Sequence, residues 1–349
     1  MAKFDVYMDL AFSDAFAKLK PVDVATFNDE AEAWARIKRF LVQHADVIID
    51  GDIADLSEEY VAKNPMLRYL LDKPAGTSLS FIAGIREERA LEVSSEPKAN
   101  PWRLFLFEGL REEAPVLSKK HGAWFLGAQA IMDAWPVLGQ HTLLNVSADG
   151  DFSSWDDLAP YQHPLSAILV ADRYMLSHMD RARDNVCQLL INLLPEDGSE
   201  YPTRIMLITE QVAKAYSLED IHEEVKNVIK TQRPYVAFEL SLVRAKALSQ
   251  YHDRHVFTNY LFMKSGDSFN YFGRSPKATP VNTTLDLHPK MVSQYMKVAA
   301  DKIMDLAKIV ERTPRNVGLQ QWIVGPKENP LLDAVKKLAR NHVPDGEVP

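Results

Sequence analysis

A histidine and an arginine two positions apart form the strongest candidate for chemistry in this sequence. The segment reads His252-Asp253-Arg254, and Asn259 follows five residues after the arginine, a His-x-Arg-x4-Asn spacing. Alternate side chains of an extended segment share one face, so His252 and Arg254 can meet one ligand together. An imidazole beside a planar guanidinium suits a phosphate group, and Asn259 can orient a neighbouring ring.

The same segment also has a purely structural interpretation. Asp253 can pair with Arg244 or Arg254 and anchor the start of a strand. Three uses therefore stay open for the segment. It can bind a phosphate-bearing ligand or a protein partner, hydrolyse a phosphodiester, or serve only as an anchor.

Two carboxylates in the first half of the chain form a second candidate site. Asp9 ends the first predicted strand, and Glu108 follows the predicted strand at 103–107. The carboxyl ends of parallel strands line the usual ligand crevice of an α/β sheet. Oxygen ligands there suit Mg²⁺ or Mn²⁺. The alternative is chance, because residues 1–160 contain 26 Asp and Glu.

Residues 164–312 resemble the phospholipase D superfamily, whose signature is His-x-Lys-x4-Asp. Arg254 stands in place of the lysine and Asn259 in place of the aspartate. The segment is more similar still to the His-Asp-Arg variant of bacterial phospholipase D-like proteins and of the C-terminal domain of some MIT-domain proteins. The resemblance implies that His252 is a nucleophile, that Arg254 binds phosphate oxygens and that no metal is needed. It also implies two copies of the motif in one site, which this chain supplies only as a homodimer.

The departures from the signature favour binding over turnover. Asn259 cannot give carboxylate stabilisation to an imidazolium, and MIT-associated members of the family are regarded as binding modules. We therefore expect a weakly catalytic or non-catalytic module that binds a nucleic acid, a nucleotide or a protein partner, in a prokaryotic defence setting. The alternative is a nuclease or phosphodiesterase, either metal-free through His252 or metal-dependent through Asp9 and Glu108.

Residues 4–138 resemble the PIN-like nuclease pattern. The shared features are an opening strand followed by an aspartate, then a strand, an acid, a helix, a glycine and another strand. This resemblance implies bound Mg²⁺ or Mn²⁺ at Asp9 and Glu108. No other cofactor is expected.

The elements that must position these residues alternate between strand and helix. This order predicts an α/β fold with parallel sheets. Residues 147–164 are rich in Asp, Ser, Gly and Pro and interrupt the pattern. We therefore predict an N-terminal α/β domain at 1–150, a linker at 151–163, a phospholipase D-like domain at 164–325 and a C-terminal helix and tail at 326–349. Within the second domain, one helix is predicted over 179–194 and one strand over 256–263.

Composition restricts the class of protein. Hydrophobic residues make up 46% and charged residues 25% of the 349 positions, which is typical of a globular protein. A single cysteine excludes an internal disulfide, and no apolar run approaches the ~20 residues of a membrane span. The first residues lack the order of a signal peptide, so we expect a cytoplasmic protein with no membrane partner. The whole chain has a net charge of −8. Residues 1–160 carry 16 Lys and Arg against 26 Asp and Glu, whereas residues 161–349 carry 24 against 22.

Overall fold

Helices and strands alternate along the chain and build two main β-sheets, which confirms the predicted α/β class. The computed structural model describes residues 2–21, 29–72, 77–95, 100–196, 200–250, 254–273 and 283–340. None of the helices within these ranges is long and apolar enough to cross a membrane.

The first sheet has five strands in the order β3-β2-β1-β4-β5, and all neighbouring strands are parallel. Val6 and Met8 of the first strand face one side, while Tyr7 faces the other and stacks on Phe105 at 4.9 Å between ring centroids. Strand β4 is buried at every position, whereas β1 and β2 alternate between buried and half-buried residues over their first four positions. The strands are β1 (Phe4–Asp9), β2 (Ala45–Asp50), β3 (Leu79–Ile82), β4 (Arg103–Leu106) and β5 (Trp124–Leu126).

Eight helices accompany this sheet in the described residues. Local capping starts several of them: Asp9 caps the first, Ser57 the third and Asn64 the fourth, each by accepting a backbone N–H. The helices are α1 (Leu10–Lys18), α2 (Asp29–Gln43), α3 (Glu58–Lys63), α4 (Pro65–Leu71), α5 (Glu88–Ser95), α6 (Ala114–His121), α7 (Ala128–Asp133) and α8 (Trp135–Leu138).

The second sheet has eight strands in the order β15-β9-β8-β7-β10-β11-β12-β6. Strands β7, β8 and β9 are parallel, and the remaining neighbours pair antiparallel. The strands are β6 (Thr142–Val146), β7 (Ala167–Ala171), β8 (Thr203–Thr209), β9 (Phe238–Arg244), β10 (Arg254–Phe257), β11 (Leu261–Ser265), β12 (Thr283–Pro289) and β15 (Ile323–Val324). Between them lie the small hairpin β13 (Asn316–Val317) and β14 (Gln320–Gln321), and the helices α9 (Met179–Asp184), α10 (Val186–Leu193), α11 (Leu218–Gln232), α12 (Ser293–Arg312) and α13 (Pro330–Arg340).

One buried apolar cluster contains side chains from both sheets, including Val6 and Val47 of the first and Leu169 and Phe257 of the second. Tyr260, in the turn between β10 and β11, also connects them. Its hydroxyl donates to the carbonyl of Arg103 at 2.8 Å and accepts the N–H of Trp124 at 2.8 Å. The turn of the second sheet is therefore held against β4 and β5 of the first.

Three expectations about the second half need correction. The segment predicted as one strand over 256–263 is two antiparallel strands, because the Thr258 hydroxyl accepts the N–H groups of Tyr260 and Leu261 and closes a turn. The helix predicted over 179–194 is interrupted at Asn185. The second sheet is mixed rather than parallel. The division into domains stays a prediction, and β6, which precedes the predicted linker, pairs with β12 in the second sheet.

Candidate functional site

Arginines gather at one edge of the second sheet, where the parallel strands β7, β8 and β9 end. Arg173 follows β7, and Arg244 is the last residue of β9. Arg254 begins β10, which runs antiparallel to β7 with His255 opposite Ala171, so Arg254 reaches the same edge beside Asp172. We call Arg173, Arg244 and Arg254 the arginine edge. The carboxyl ends of parallel strands are the usual position of a ligand crevice.

The buried carboxylate of Asp172 lies at the centre of the arginine edge and is 1% exposed. It accepts the backbone N–H of Tyr174 at 2.8 Å, the Ser268 hydroxyl at 2.7 Å and the backbone N–H of Phe269 at 2.7 Å. Burial raises the pKa of this carboxyl, while the three hydrogen bonds and the positive charge of Arg254 act in the opposite direction. Asp172 is thus a fixed acceptor that organises the 268–269 segment.

The Arg254 side chain is half-buried and oriented by the backbone. Its Nη1 donates to the carbonyl of Gly266 at 2.8 Å, across the β10–β11 hairpin. Burial of the group is incomplete, so part of the guanidinium faces solvent at the sheet edge. An arginine held in this way presents its planar donors in a limited range of directions, as anion recognition requires.

Arg173 and Arg244 both contact Glu210, the residue that follows β8. Arg173 forms an ion pair with the Glu210 carboxylate, and Arg244 donates to the Glu210 carbonyl at 3.4 Å. The Arg244 guanidinium also lies over the Trp322 ring at 5.5 Å. Within the described residues, the carboxylates of Asp172 and Glu210 accompany these three guanidiniums.

Of the other two residues of the predicted motif, the structure describes only Asn259, which does not reach this edge. His252, like Asp253, lies outside the described residues, so its role stays a prediction. Asn259 is fully buried in the β10–β11 turn, five residues or roughly 16 Å of extended chain from Arg254. Its Oδ1 accepts the N–H groups of Ser166 at 2.9 Å and Ala167 at 3.2 Å, and its Nδ2 donates to the Pro101 carbonyl at 2.6 Å and the Ser166 hydroxyl at 2.9 Å. These contacts hold the backbone and involve no histidine ring.

Asp9 and Glu108 lie together at the carboxyl edge of the first sheet. In the order β3-β2-β1-β4-β5 the direction of strand addition reverses between β1 and β4, which end beside these two residues. Asp9 is 2% exposed and accepts the N–H groups of Phe12 at 2.6 Å, Glu108 at 3.2 Å and Gly109 at 3.0 Å. Glu108 accepts the N–H of Ala128 at 2.8 Å and faces Arg111 at 3.5 Å.

Sequence analysis missed two residues at this edge, Asp50 and Arg86. Asp50 is the last residue of β2 and accepts the N–H groups of Gly84 at 2.8 Å and Ile85 at 3.0 Å. The Arg86 guanidinium forms ion pairs with Asp50 and, at 3.5 Å, with Asp9. The signal for Asp50 was available, because it ends a β-branched strand as Asp9 ends its own. Nothing in the local sequence singles out Arg86, which places its positive charge where a cation between Asp9 and Asp50 would bind.

Glu108 also lines an open cavity of about 740 Å³ beside the edge strand β5. Its walls are mostly apolar and come from α6, β5 and α7, with Pro164 and Leu165 closing one side. The Ser118 hydroxyl donates to the Phe125 carbonyl at 3.2 Å and accepts the Phe125 N–H at 2.8 Å. The outward peptide groups of Phe125 are therefore already satisfied, and an added strand would not find them free.

No protein-family model matches the chain, and a search of curated proteins found no match either. The candidate site is therefore interpreted from its own geometry.

Proposed function

We propose that this chain binds a phosphate-bearing ligand, a nucleic acid or a nucleotide, at the arginine edge of the second sheet. The observation that carries the proposal is the position of Arg254. It begins β10 beside Asp172, at the end of the parallel strands, with its guanidinium directed by the Gly266 carbonyl. Guanidiniums are preferred ligands of phosphate because their planar donors match two of its oxygens.

The extent of the edge favours a ligand larger than one phosphate. Arg254 on β10 and Arg244 on β9 are separated by three strand spacings, or about 14 Å. A nucleotide or a single strand of nucleic acid can span that width, with Arg173 between them. A protein partner with an acidic surface is the competing ligand and forms one arm of the test below.

We propose that turnover is weak or absent. The described residues of the edge provide positive charges and hydrogen-bonded carboxylates, and Asp172 already accepts three hydrogen bonds. The predicted nucleophile, His252, directly precedes this edge in the chain. A metal-free phosphodiesterase of the phospholipase D kind would need two such histidines and therefore a homodimer. Sedimentation at micromolar concentration tests this requirement, because a monomer would have one motif per site.

Binding is tested by fluorescence anisotropy with a labelled single-stranded oligonucleotide and, separately, a labelled nucleotide. We expect Arg254→Ala to weaken binding about tenfold, the scale of one charge-assisted contact, and to lower the slope of log K against log salt by about 0.7–0.9, one phosphate contact. Arg254→Lys should retain much of the affinity. The matched control is Arg36→Ala, which removes an exposed arginine paired with Glu32 on α2.

Two results would contradict the proposal. One is equal affinity and equal salt dependence for wild type, Arg254→Ala and Arg36→Ala. The other is a loss of about 3–5 kcal/mol in unfolding free energy for both Arg254 variants without a change in affinity, the behaviour of a buried ion pair with a structural role. Binding to an acidic protein but to neither phosphate probe would show that the arginine edge binds a protein partner instead of a phosphate-bearing ligand.

A second candidate function is a metal-dependent nuclease at the first sheet. The observation that favours it is the convergence of Asp9, Asp50 and Glu108 at the carboxyl ends of three neighbouring strands, at the reversal of strand order. The residues fit Mg²⁺ or Mn²⁺ by ligand type, but a metal at Asp9 and Asp50 must displace Arg86. Hydrolysis of single-stranded nucleic acid that requires Mn²⁺, stops with EDTA and is lost in Asp9→Asn would support this function.

A further inference from the structure

Two histidines and an aspartate meet on one face of the second sheet, away from both sites described above. Asp286 and His288 are two positions apart on β12 and share a face, while Leu285 and Leu287 between and beside them are buried on the other. His141 directly precedes β6, whose Thr142 pairs with Leu287, so His141 comes next to His288. The two imidazoles stack with 4.8 Å between ring centroids.

The potential ligand atoms of these three residues are close together. His141 Nε2 lies 3.2 Å from Asp286 Oδ1, and His288 Nε2 lies 4.0 Å from Asp286 Oδ2. All three ligand atoms lie within 4.8 Å of one another. In a tetrahedral zinc site with bonds of about 2.0–2.1 Å, ligand atoms are separated by about 3.4 Å. Small rotations of the His141 and Asp286 side chains, which are 41% and 30% exposed, bring the set to that spacing.

The His288 ring is held in a fixed orientation by its neighbours. Phe262 lies at 5.3 Å and Tyr295 of α12 at 4.6 Å, measured between ring centroids. The nitrogen that lies 4.0 Å from Asp286 is Nε2. Packing of the ring therefore limits the directions in which Nε2 can point toward the cluster.

The charges around the cluster are compatible with a divalent ion. Asp286 contributes one negative charge, and Lys264 lies opposite it on β11. The neutral form of an imidazole is the form that coordinates metals.

We propose that His141, Asp286 and His288 bind a divalent transition metal ion, with Zn²⁺ as the best fit. Two nitrogens and one oxygen suit Zn²⁺ and related ions, whereas Mg²⁺ and Ca²⁺ require mainly oxygen ligands. His141 is 41% exposed at the edge strand, which leaves a fourth position open to water. Bound metal would join β6, the outermost strand, to β12 by side-chain bonds as well as by the backbone ladder.

The test uses untagged protein freed of metal with EDTA and then titrated with Zn²⁺ against a chromophoric chelator. We expect one Zn²⁺ per chain with micromolar or tighter affinity, unaffected by 1,000-fold excess Mg²⁺. His141→Ala should weaken binding at least tenfold, as should Asp286→Asn and His288→Ala. The matched control is His178→Ala, another exposed histidine with a hydrogen-bonded side chain, which should bind Zn²⁺ as wild type does.

A second measurement keeps the test independent of folding defects in the variants. Wild-type protein loaded with Co²⁺ should show the visible absorption of a four-coordinate or five-coordinate ion, and His141→Ala should lack it while its circular dichroism stays unchanged. His141 is the safest position because it lies outside the strand and is partly exposed. Absence of stoichiometric Zn²⁺ binding in wild type, or equal loss in His178→Ala and His141→Ala, would overturn the proposal.

Discussion

Replacement of Asn259 by alanine is expected to destabilise the protein strongly, although the sequence motif presents this residue as part of a reactive site. Four hydrogen bonds from its side chain connect the β10–β11 turn to the start of β7 and to the segment before β4. In Asn259→Ala the N–H groups of Ser166 and Ala167 and the Pro101 carbonyl lose their partner in a fully buried site. Each such group costs about 1–3 kcal/mol, so a total of about 3–5 kcal/mol is expected after partial relaxation.

The assay is equilibrium urea unfolding at pH 7, with a check that the slope of free energy against urea is unchanged. Asn227→Ala is the matched control, because Asn227 is exposed on α11 and should change stability by less than about 0.5 kcal/mol. Asn259→Asp restores the residue of the phospholipase D signature and separates the two roles. A carboxylate oxygen would face the Pro101 carbonyl where the amide donates at 2.6 Å, so this variant should be at least as unstable. A loss below about 1 kcal/mol in Asn259→Ala would refute the structural role.

Two further predictions concern the buried imidazole of His163 and the ion pairs of Arg86. Burial lowers the pKa of His163 to about 4, so the unfolded chain, with a pKa near 6.5, binds more protons and stability falls as pH decreases from 6.5 toward 4. At 1.36 kcal/mol per pH unit, His163 lowers the free energy of unfolding by about 2 kcal/mol between pH 6.5 and 5. In urea unfolding, the stability of His163→Asn should therefore depend less steeply on pH than that of wild type. An unchanged pH dependence would contradict the assignment. Arg86→Ala should lower the free energy of unfolding by about 1–3 kcal/mol, because it leaves Asp9 and Asp50 without their shared cation. The loss stays in this range because Arg86 is half exposed to solvent. If the first sheet binds metal, Mg²⁺ or Mn²⁺ should raise the melting temperature of Arg86→Ala more than that of wild type, whereas no difference would argue against the metal site.

The sequence alone predicts the strands that become β1 and β4, because each is encoded by a local pattern. The apolar run of β4 reports burial on both faces. Ser217 with Asp220 marks the start of α11 by a capping box that the structure contains. The acidic side chains of Asp9 and Glu108 could be anticipated at strand ends, because each stands at the end of a local strand pattern. The turn at Thr258 was missed because it contains no glycine or proline. Its backbone N–H groups are satisfied by the Thr258 hydroxyl instead.

Only the tertiary structure decides which of these side chains meet. Arg86 comes to Asp9 and Asp50 through the parallel pairing of β1, β2 and β3, and His141 comes to His288 through the pairing of β6 with β12, across 147 positions of sequence. Hydrogen-bond registers between distant strands determine these distances, and a register depends on packing across the whole sheet rather than on neighbouring residues. The sequence therefore determined the types of side chain at the strand ends, and the folded sheets determined that a guanidinium lies between two aspartates and that two imidazoles share one aspartate.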